Sequence, residues 1–245
     1  GCRTSLSSIL GVSDTELVFT SGSTESNNMA ILGLYDHAQK TGRKHFITTS
    51  IEHKSVLEAM KRLETLGCEV DYVAPDSTGR ISAEALLALV KDTTLLVSVM
   101  HINSETGIIQ PVEEIGEALS KTNVYFHVDA TQSFGKLNDV IRNMKYDMLS
   151  FTAHKFGGPQ GVGGLVLRRK RYKLPPITSL FCGGQQERGI RPGTTPVALV
   201  AGMTTAAEIA DSECAEQQAK CAAIKEDLLK HLEGVRYTIN GAPEY

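Results

Sequence analysis

The chain has 245 residues, 41% of them hydrophobic and 22% charged, a composition typical of a globular protein with one large core, or one domain and part of a second. Its formal net charge of −3 at pH 7 gives no indication of nucleic acid or an anionic membrane as a partner. No apolar run is long enough to span a bilayer and no signal pattern opens the chain, so we expect the cytoplasm, or the mitochondrial matrix of a eukaryote.

Short β-rich runs alternate with longer helical patterns along most of the chain. Such alternation predicts an α/β fold in which parallel strands are joined by helical crossovers and the sheet lies between helices. Residues 95–100 form an almost continuous apolar run, as expected for a strand buried on both faces. The predicted strands cover residues 16–20, 45–49, 69–73, 94–101, 125–129, 148–152 and 163–167.

The predicted helices lie between these strands. Pro111 opens one of them, and Glu113 and Glu114 lie in its first turn, where negative charge favours the helix dipole. Gly42 and Gly67 follow two others, as expected for residues that end helices. The helical patterns cover residues 24–40, 55–66, 83–90 and 112–120, and residues 1–10 are predicted to be helical as well.

The last third of the chain has a different character. The glycine-rich residues 157–164 match neither the dinucleotide fingerprint nor the P-loop, and we interpret them as a turn into the one antiparallel strand of a seven-stranded sheet. From Pro196 to about Leu232 runs one long helical pattern, and residues 237–240 are predicted to begin a strand. We therefore expect a large domain over residues 1–200, followed over 201–245 by a connecting helix and the start of a truncated small domain.

The cysteines indicate no structural bond or metal. They are five in number, scattered, and without a C-x-x-C pair, so neither a disulfide framework nor a zinc site is predicted. They are Cys2, Cys68, Cys182, Cys214 and Cys221.

Two residues at the ends of predicted strands indicate a particular cofactor. Ligands of open α/β sheets bind at the carboxyl ends of the strands. Asp129 ends an apolar strand, where its carboxylate needs a partner such as a protonated pyridine nitrogen or a nearby arginine. Lys155 follows a later strand, and its amine can form a Schiff base with an aldehyde, the alternative being simple solvent exposure. Together they predict pyridoxal 5'-phosphate, whose protonated ring is an electron sink.

Hydroxyl-rich segments at two strand ends, one of them the end that carries Lys155, suit a phosphate group. Ser23 and Thr24 open a helix, where backbone N–H groups bind anions, although this segment taken alone favours a plain helix cap. Thr152 and His154 precede Lys155 and can reach the same phosphate.

Three polar residues are candidates for contacts with the ring. His53 can stack on a flat ring or transfer a proton, or it is an ordinary surface histidine. Asn103 and Gln132 can each address the phenolic oxygen of the cofactor, with a turn role as the alternative for Asn103.

With these motifs in this order, the chain resembles the cysteine desulfurase family, within the class V aminotransferase group of fold-type I pyridoxal-phosphate enzymes. The Asn-x-Glu-Thr-Gly and Arg-x-x-Gly-Thr forms resemble the branch that supplies sulfur for iron–sulfur clusters and thio-modified cofactors. The matching motifs are TSGSTESNN at 20–28, EH at 52–53, NSETG at 103–107, VDATQ at 128–132, TAHK at 152–155 and GIRPGT at 189–194.

The resemblance implies roles around the ring. Lys155 would bind the cofactor covalently, and Asp129 would pair with the pyridinium. His53 would stack on the ring and assist proton transfer, so Lys155 and His53 are the expected catalytic residues. Asn103 and Gln132 would address the phenolic oxygen.

The resemblance also implies phosphate contacts and partners. Thr24, Thr152 and His154 would bind the phosphate, with Ser23 beside them. Thr194 would reach the phosphate of the neighbouring subunit, which implies a homodimer with sites at the interface. L-cysteine is the implied substrate, and an iron–sulfur scaffold or another sulfur-acceptor protein is an implied partner.

The family's small C-terminal domain carries a catalytic cysteine and an arginine for the substrate carboxylate, and none of the cysteines here occupies the corresponding loop. We therefore expect a fragment that supplies the cofactor half of a reaction converting L-cysteine to L-alanine with transfer of sulfur to an enzyme thiolate. The alternatives are another class V enzyme (an aminotransferase, a selenocysteine lyase or a kynureninase) and an inactive truncated scaffold.

Overall fold

A computed structural model describes residues 1–239 and residue 241, and in this part of the chain seven strands form one sheet. The strands are β1 (Leu17–Thr20), β2 (His45–Thr49), β3 (Glu69–Val73), β4 (Thr94–Met100), β5 (Tyr125–Asp129), β6 (Met148–Thr152) and β7 (Gly163–Leu167). The helices are α1 (Cys2–Leu10), α2 (Ser23–Leu32), α3 (Tyr35–Thr41), α4 (Lys54–Thr65), α5 (Ala83–Ala88), α6 (Val112–Leu119), α7 (Asn138–Asn143) and α8 (Val197–His231).

The strand order is β1-β7-β6-β5-β4-β2-β3. Strands β2 to β6 pair in parallel, whereas β7 pairs antiparallel with both β1 and β6. The predicted fold is confirmed, including its single antiparallel strand. Because β1 runs in the same direction as β6, the carboxyl ends of six strands meet at one edge, which we call the carboxyl edge, and their other ends form the amino edge.

Two apolar layers cover the faces of the sheet. All seven residues of β4 are buried, and its side chains contribute to both layers. Val97 and Val99 belong to the apolar cluster that includes residues of α1 and α6, and Leu96 belongs to the one that includes residues of α2 and α4. Burial on both faces is the reason why this strand has an unbroken apolar sequence. None of the helices in the described part of the chain is long and apolar enough to cross a membrane.

The structure differs from the predicted elements at a few places. The predicted helix over 24–40 is divided into α2 and α3 because Gly33 packs directly against a distant segment. A Cβ at Gly33 would lie 2.5 Å from Ile177 Cγ2, and the Gly33 carbonyl accepts a hydrogen bond from Thr178 N instead of continuing the helix. Helix α7 was not predicted. The expected strand over 237–240 is wrong for residues 237–239, and Asn240 lies outside the described residues. The long helix is confirmed as α8.

Candidate active site

A cavity of about 340 Å³ opens at the carboxyl edge of the sheet. It lies over the ends of β4 and β5, between the loops that follow β1, β2 and β6. The structure thus brings together most of the residues proposed from the sequence. Those that line the cavity are Ser23, Thr24, His53, Asp129, Gln132, His154 and Lys155.

Asp129 forms the floor of this cavity and is only 4% exposed. Its Oδ2 accepts a hydrogen bond from Asn27 Nδ2 at 2.8 Å, and its Oδ1 accepts one from Thr131 N at 3.0 Å. Within residues 1–239, no lysine or arginine forms an ion pair with it. A nearby arginine is therefore not its partner, and a protonated ring nitrogen fits the position of this carboxylate.

A second carboxyl group lies beneath the first. Glu52 is buried, and its Oε1 accepts hydrogen bonds from Thr49 Oγ1 at 2.7 Å and from Met100 N at 2.9 Å. Burial above all, together with the nearby charge of Asp129, raises the pKa of Glu52 to about 8. Glu52 is consequently neutral at pH 7, so of these two buried groups only Asp129 carries a negative charge.

The phosphate end of the proposed site is a cleft continuous with the main cavity. A cavity of about 260 Å³ shares Ser23, Thr24 and His154 with it and adds Thr152. It lies at the start of α2, where no side chain caps the helix. Gly22 there has φ 149°, and a Cβ on it would lie 3.3 Å from Thr152 Oγ1. Backbone N–H groups at an uncapped helix start, with hydroxyl groups around them, suit a phosphate.

Lys155 lies in a 3₁₀ turn, Ala153–Lys155, that follows β6 directly, and its side chain lines the main cavity. A second amine, that of Lys136, lies close enough to be affected by this side chain. Burial, and to a smaller extent the positive charge of Lys155, lowers the pKa of Lys136. The Lys136 amine donates to Gln132 Oε1 at 3.3 Å. The cavity therefore has two amines at its rim, of which only Lys155 lines it.

Two of the residues proposed from the sequence lie outside the cavity lining. Asn103 is 7% exposed, and its Oδ1 accepts hydrogen bonds from the backbone N–H groups of Glu105 and Thr106, which is the turn role left open above. Thr194 is exposed and lines neither cavity. The contacts of Asn103 with the phenolic oxygen and of Thr194 with a second subunit stay predictions.

The structure adds residues that received no role from the sequence. Ser104, Glu105 and Thr131 line the cavity, and the buried Thr131 Oγ1 has no hydrogen-bond partner among the described residues. Asn27 contacts Asp129 from α2. The sequence does carry a signal for Asn27, because it lies one helical turn after Ser23 and so on the same face of the helix.

The family model for class V aminotransferases matches residues 1–243. The chain is 44% identical over 246 residues to cysteine desulfurase IscS of Serratia proteamaculans, an alignment that covers 99% of this chain and 59% of that protein. The crystal structure of DndA from Streptomyces lividans superimposes with a TM-score of 0.96 at 43% identity and covers 100% of this chain and 69% of that one. A structure of SspA in complex with cysteine superimposes with a TM-score of 0.78 at 41% identity. That match covers 84% of this chain and 59% of the SspA chain. The chain thus spans 59% of the length of the Serratia relative.

Proposed function

The chain belongs to the class V aminotransferase family, and from this premise we propose that it is the cofactor-binding part of a pyridoxal-phosphate-dependent cysteine desulfurase. Such an enzyme converts L-cysteine to L-alanine and transfers the sulfur to one of its own thiolates. We assign that thiolate, and the group that holds the substrate carboxylate, to the part of the relatives that this chain does not span. In this assignment the chain consists of a large cofactor-binding domain over residues 1–200 and a connecting segment over residues 201–245.

The main support is that a buried carboxylate with no cationic partner among the described residues lines the same cavity as a lysine amine. A carboxylate in that position keeps a ring nitrogen protonated, and the amine binds an aldehyde covalently. When bound, the cofactor supplies an electron sink that acidifies the Cα–H bond of an amino acid. Asp129 and Lys155 are the residues that would hold it at its two reactive positions.

The remaining residues of the site would orient the group. His53 would cover the ring, and Gln132 would address the phenolic oxygen, together with Asn103 once its loop adjusts to a ligand. Around the phosphate, the proposed contacts are the start of α2 with Ser23 and Thr24, the side chains of Thr152 and His154, and Thr194 from a second subunit.

The proposed partners follow from the same assignment. SspA, a structural relative at 41% identity, is known in complex with cysteine, which supports L-cysteine as the substrate. We further propose a homodimer, completed at each site by Thr194, and a sulfur-acceptor or iron–sulfur scaffold protein. Chemistry on a free thiol favours a reducing compartment, hence the cytoplasm or the mitochondrial matrix.

Borohydride reduction after incubation with pyridoxal phosphate, followed by peptide mapping, tests the proposal. We expect a label on Lys155 alone and none in a Lys155→Ala variant. Lys136→Ala is the matched control because it removes the other amine at the rim, and it should leave the label on Lys155. Pyridoxal without its phosphate should label less, because it lacks the contacts at the start of α2. No label, or a label spread over surface lysines, would identify the chain as an inert fragment or a scaffold.

A further inference from the structure

A chain of hydrogen bonds joins the floor of the cavity to the proposed ring-covering histidine. Asn27 Nδ2 donates to Asp129 Oδ2 at 2.8 Å and to Ser55 Oγ at 2.9 Å. Ser55 Oγ lies 2.7 Å from His53 Nδ1, and the backbone N–H of Ser55 donates to the same Nδ1 at 3.2 Å. Asn27 and Ser55 are buried, whereas His53 is exposed and lines the cavity.

The donor and the acceptor of every hydrogen bond in this path follow from groups that can only donate or only accept. A backbone N–H can only donate, so His53 Nδ1 must accept from Ser55. The Asn27 amide cannot be reversed, because its Oδ1 would then face the carboxylate oxygen of Asp129. Both hydrogens of Asn27 Nδ2 are thus used, one toward Asp129 and one toward Ser55 Oγ. The serine hydroxyl accepts from Asn27 and has its own hydrogen left for His53 Nδ1.

We propose that Asn27 and Ser55 are positioning residues that hold His53 as the tautomer with its proton on Nε2. With Nδ1 occupied by two donors, His53 caps the start of α4 and presents an N–H group, and not a lone pair, to the cavity. Resting on the proposed function, this donor would bind an anionic group above the ring, such as a substrate thiolate. The tautomer itself is independent of that function.

Asn27 connects Asp129 and His53 by hydrogen bonds but does not allow a proton to pass between them. A primary amide that donates to both sides carries no mobile proton, so Asp129 and His53 are coupled in position but do not exchange protons through this path. The arrangement leaves Asn27 Oδ1 buried without a partner among the described residues. An unpaired buried oxygen is unfavourable, and an apolar side chain of similar size would avoid it. Its presence favours a functional role for Asn27 over a purely structural one.

The test is the protonation of the two ring nitrogens of His53, read by long-range ¹H–¹⁵N NMR of the histidine-labelled chain at about pH 8, where an ordinary imidazole is neutral. The His53 signals are assigned by their loss in His53→Gln. We expect protonated Nε2 and unprotonated Nδ1 in the unsubstituted chain and in Ser55→Thr, which keeps the hydroxyl. Ser55→Ala keeps the backbone donor at 3.2 Å but loses the shorter hydroxyl contact at 2.7 Å, so it should give a mixture of both tautomers, and Asn27→Leu should give a smaller shift in the same direction.

The matched control is Lys54→Ala, which changes the exposed residue between His53 and Ser55 and should leave the protonation of the two His53 ring nitrogens unchanged. The signals of the buried His101 and His127 report whether each variant is folded. A proton on Nδ1 in the unsubstituted chain, or unchanged His53 signals in Ser55→Ala, would overturn the inference. The spectra need no cofactor, so failure of labelling at Lys155 and failure of the tautomer are separate results.

Discussion

Each edge of the sheet holds a carboxylate with little exposure to water, and the two carboxylates have different kinds of partner. At the amino edge, Asp147 precedes β6, accepts a hydrogen bond from Phe126 N at 2.8 Å and pairs with the Lys170 amine at 3.2 Å. At the carboxyl edge, Asp129 is more deeply buried, but among the described residues it has only an amide and a backbone N–H as hydrogen-bond partners. An ion pair within the fold completes the first site, and the second is suited to a cation that is not part of the polypeptide.

The charge of Asp147 has a structural partner, whereas the charge of Asp129 is available for a ligand. Burial raises the pKa of Asp147, and the charge of Lys170 opposes this rise. At the carboxyl edge the chain instead avoids a second charge, because Glu52 is kept neutral by its own burial. A site that keeps one of its two buried carboxyl groups neutral is suited to a single positive ring nitrogen.

The largest effect that we expect is kinetic and concerns Asp129 alone. Asp129→Ala should still attach pyridoxal phosphate at Lys155 but should lose Cα-hydrogen exchange of L-cysteine in deuterated water by on the order of 10²-fold or more, since the electron sink loses its partner. Asp147→Ala should exchange at the original rate per labelled site. Normal exchange by Asp129→Ala would sink the assignment of Asp129 to the ring nitrogen.

Much of this contrast is already present in the sequence. The bounds of β2, β3, β5, β6 and β7 agree with the predicted ones, because each strand is a short run of strand-forming residues between polar or glycine residues. Asp129 and Lys155 were identifiable because polar residues directly after buried strands must lie at the carboxyl edge.

What the sequence does not predict depends on contacts between distant segments. The break between α2 and α3 requires Ile177 and Thr178, which lie far along the chain from Gly33. The role of Asn27 requires that one face of α2 meets the end of β5. The neutrality of Glu52 results from its burial, which no local pattern around residue 52 reveals.

The second largest effect that we expect is a loss of folding stability when the ion pair at the amino edge is broken. Lys170→Met should lower the free energy of unfolding by about 3 kcal/mol, because it leaves the largely buried carboxylate of Asp147 without its cation. Urea unfolding at pH 7 measures this loss. Lys173→Met is the control, since Lys173 is an exposed neighbour in the same turn. Equal midpoints for the two variants would mean that Asp147 does not need an ion pair in the folded chain.

A smaller effect depends on pH and belongs to the carboxyl edge. Glu52 binds a proton more tightly in the folded chain, up to a pKa of about 8, than in the unfolded chain at 4.5, so its contribution to stability is lost as the pH rises through this window. Burial lowers the pKa of His101 and His127 to about 4, so these two destabilise the fold only as the pH falls below about 6.5.

Between pH 6.5 and 8 the effect of Glu52 is therefore separated from that of the histidines. Across this interval the unsubstituted chain should lose about 2 kcal/mol of unfolding free energy relative to Glu52→Gln, which keeps the size of the side chain and cannot ionise. Urea midpoints at the two pH values measure the difference. Parallel pH profiles for the two proteins would show that Glu52 is already ionised at pH 6.5.

The smallest effect tests whether burial, and not pairing as such, makes the ion pair at the amino edge important. Lys91 pairs with Glu69 at 2.5 Å, which is a shorter contact than that of Lys170 with Asp147. The side chains of Lys91 and Glu69 are, however, both exposed to water. Because solvent screens such a pair and its long side chains lose entropy, Lys91→Met should leave the urea midpoint unchanged. The same substitution then gives a large loss at Lys170 and none at Lys91. A comparable loss at both positions would mean that the contrast between the two edges rests on the number of ion pairs, in which case the unpaired Asp129 would no longer indicate a bound cation.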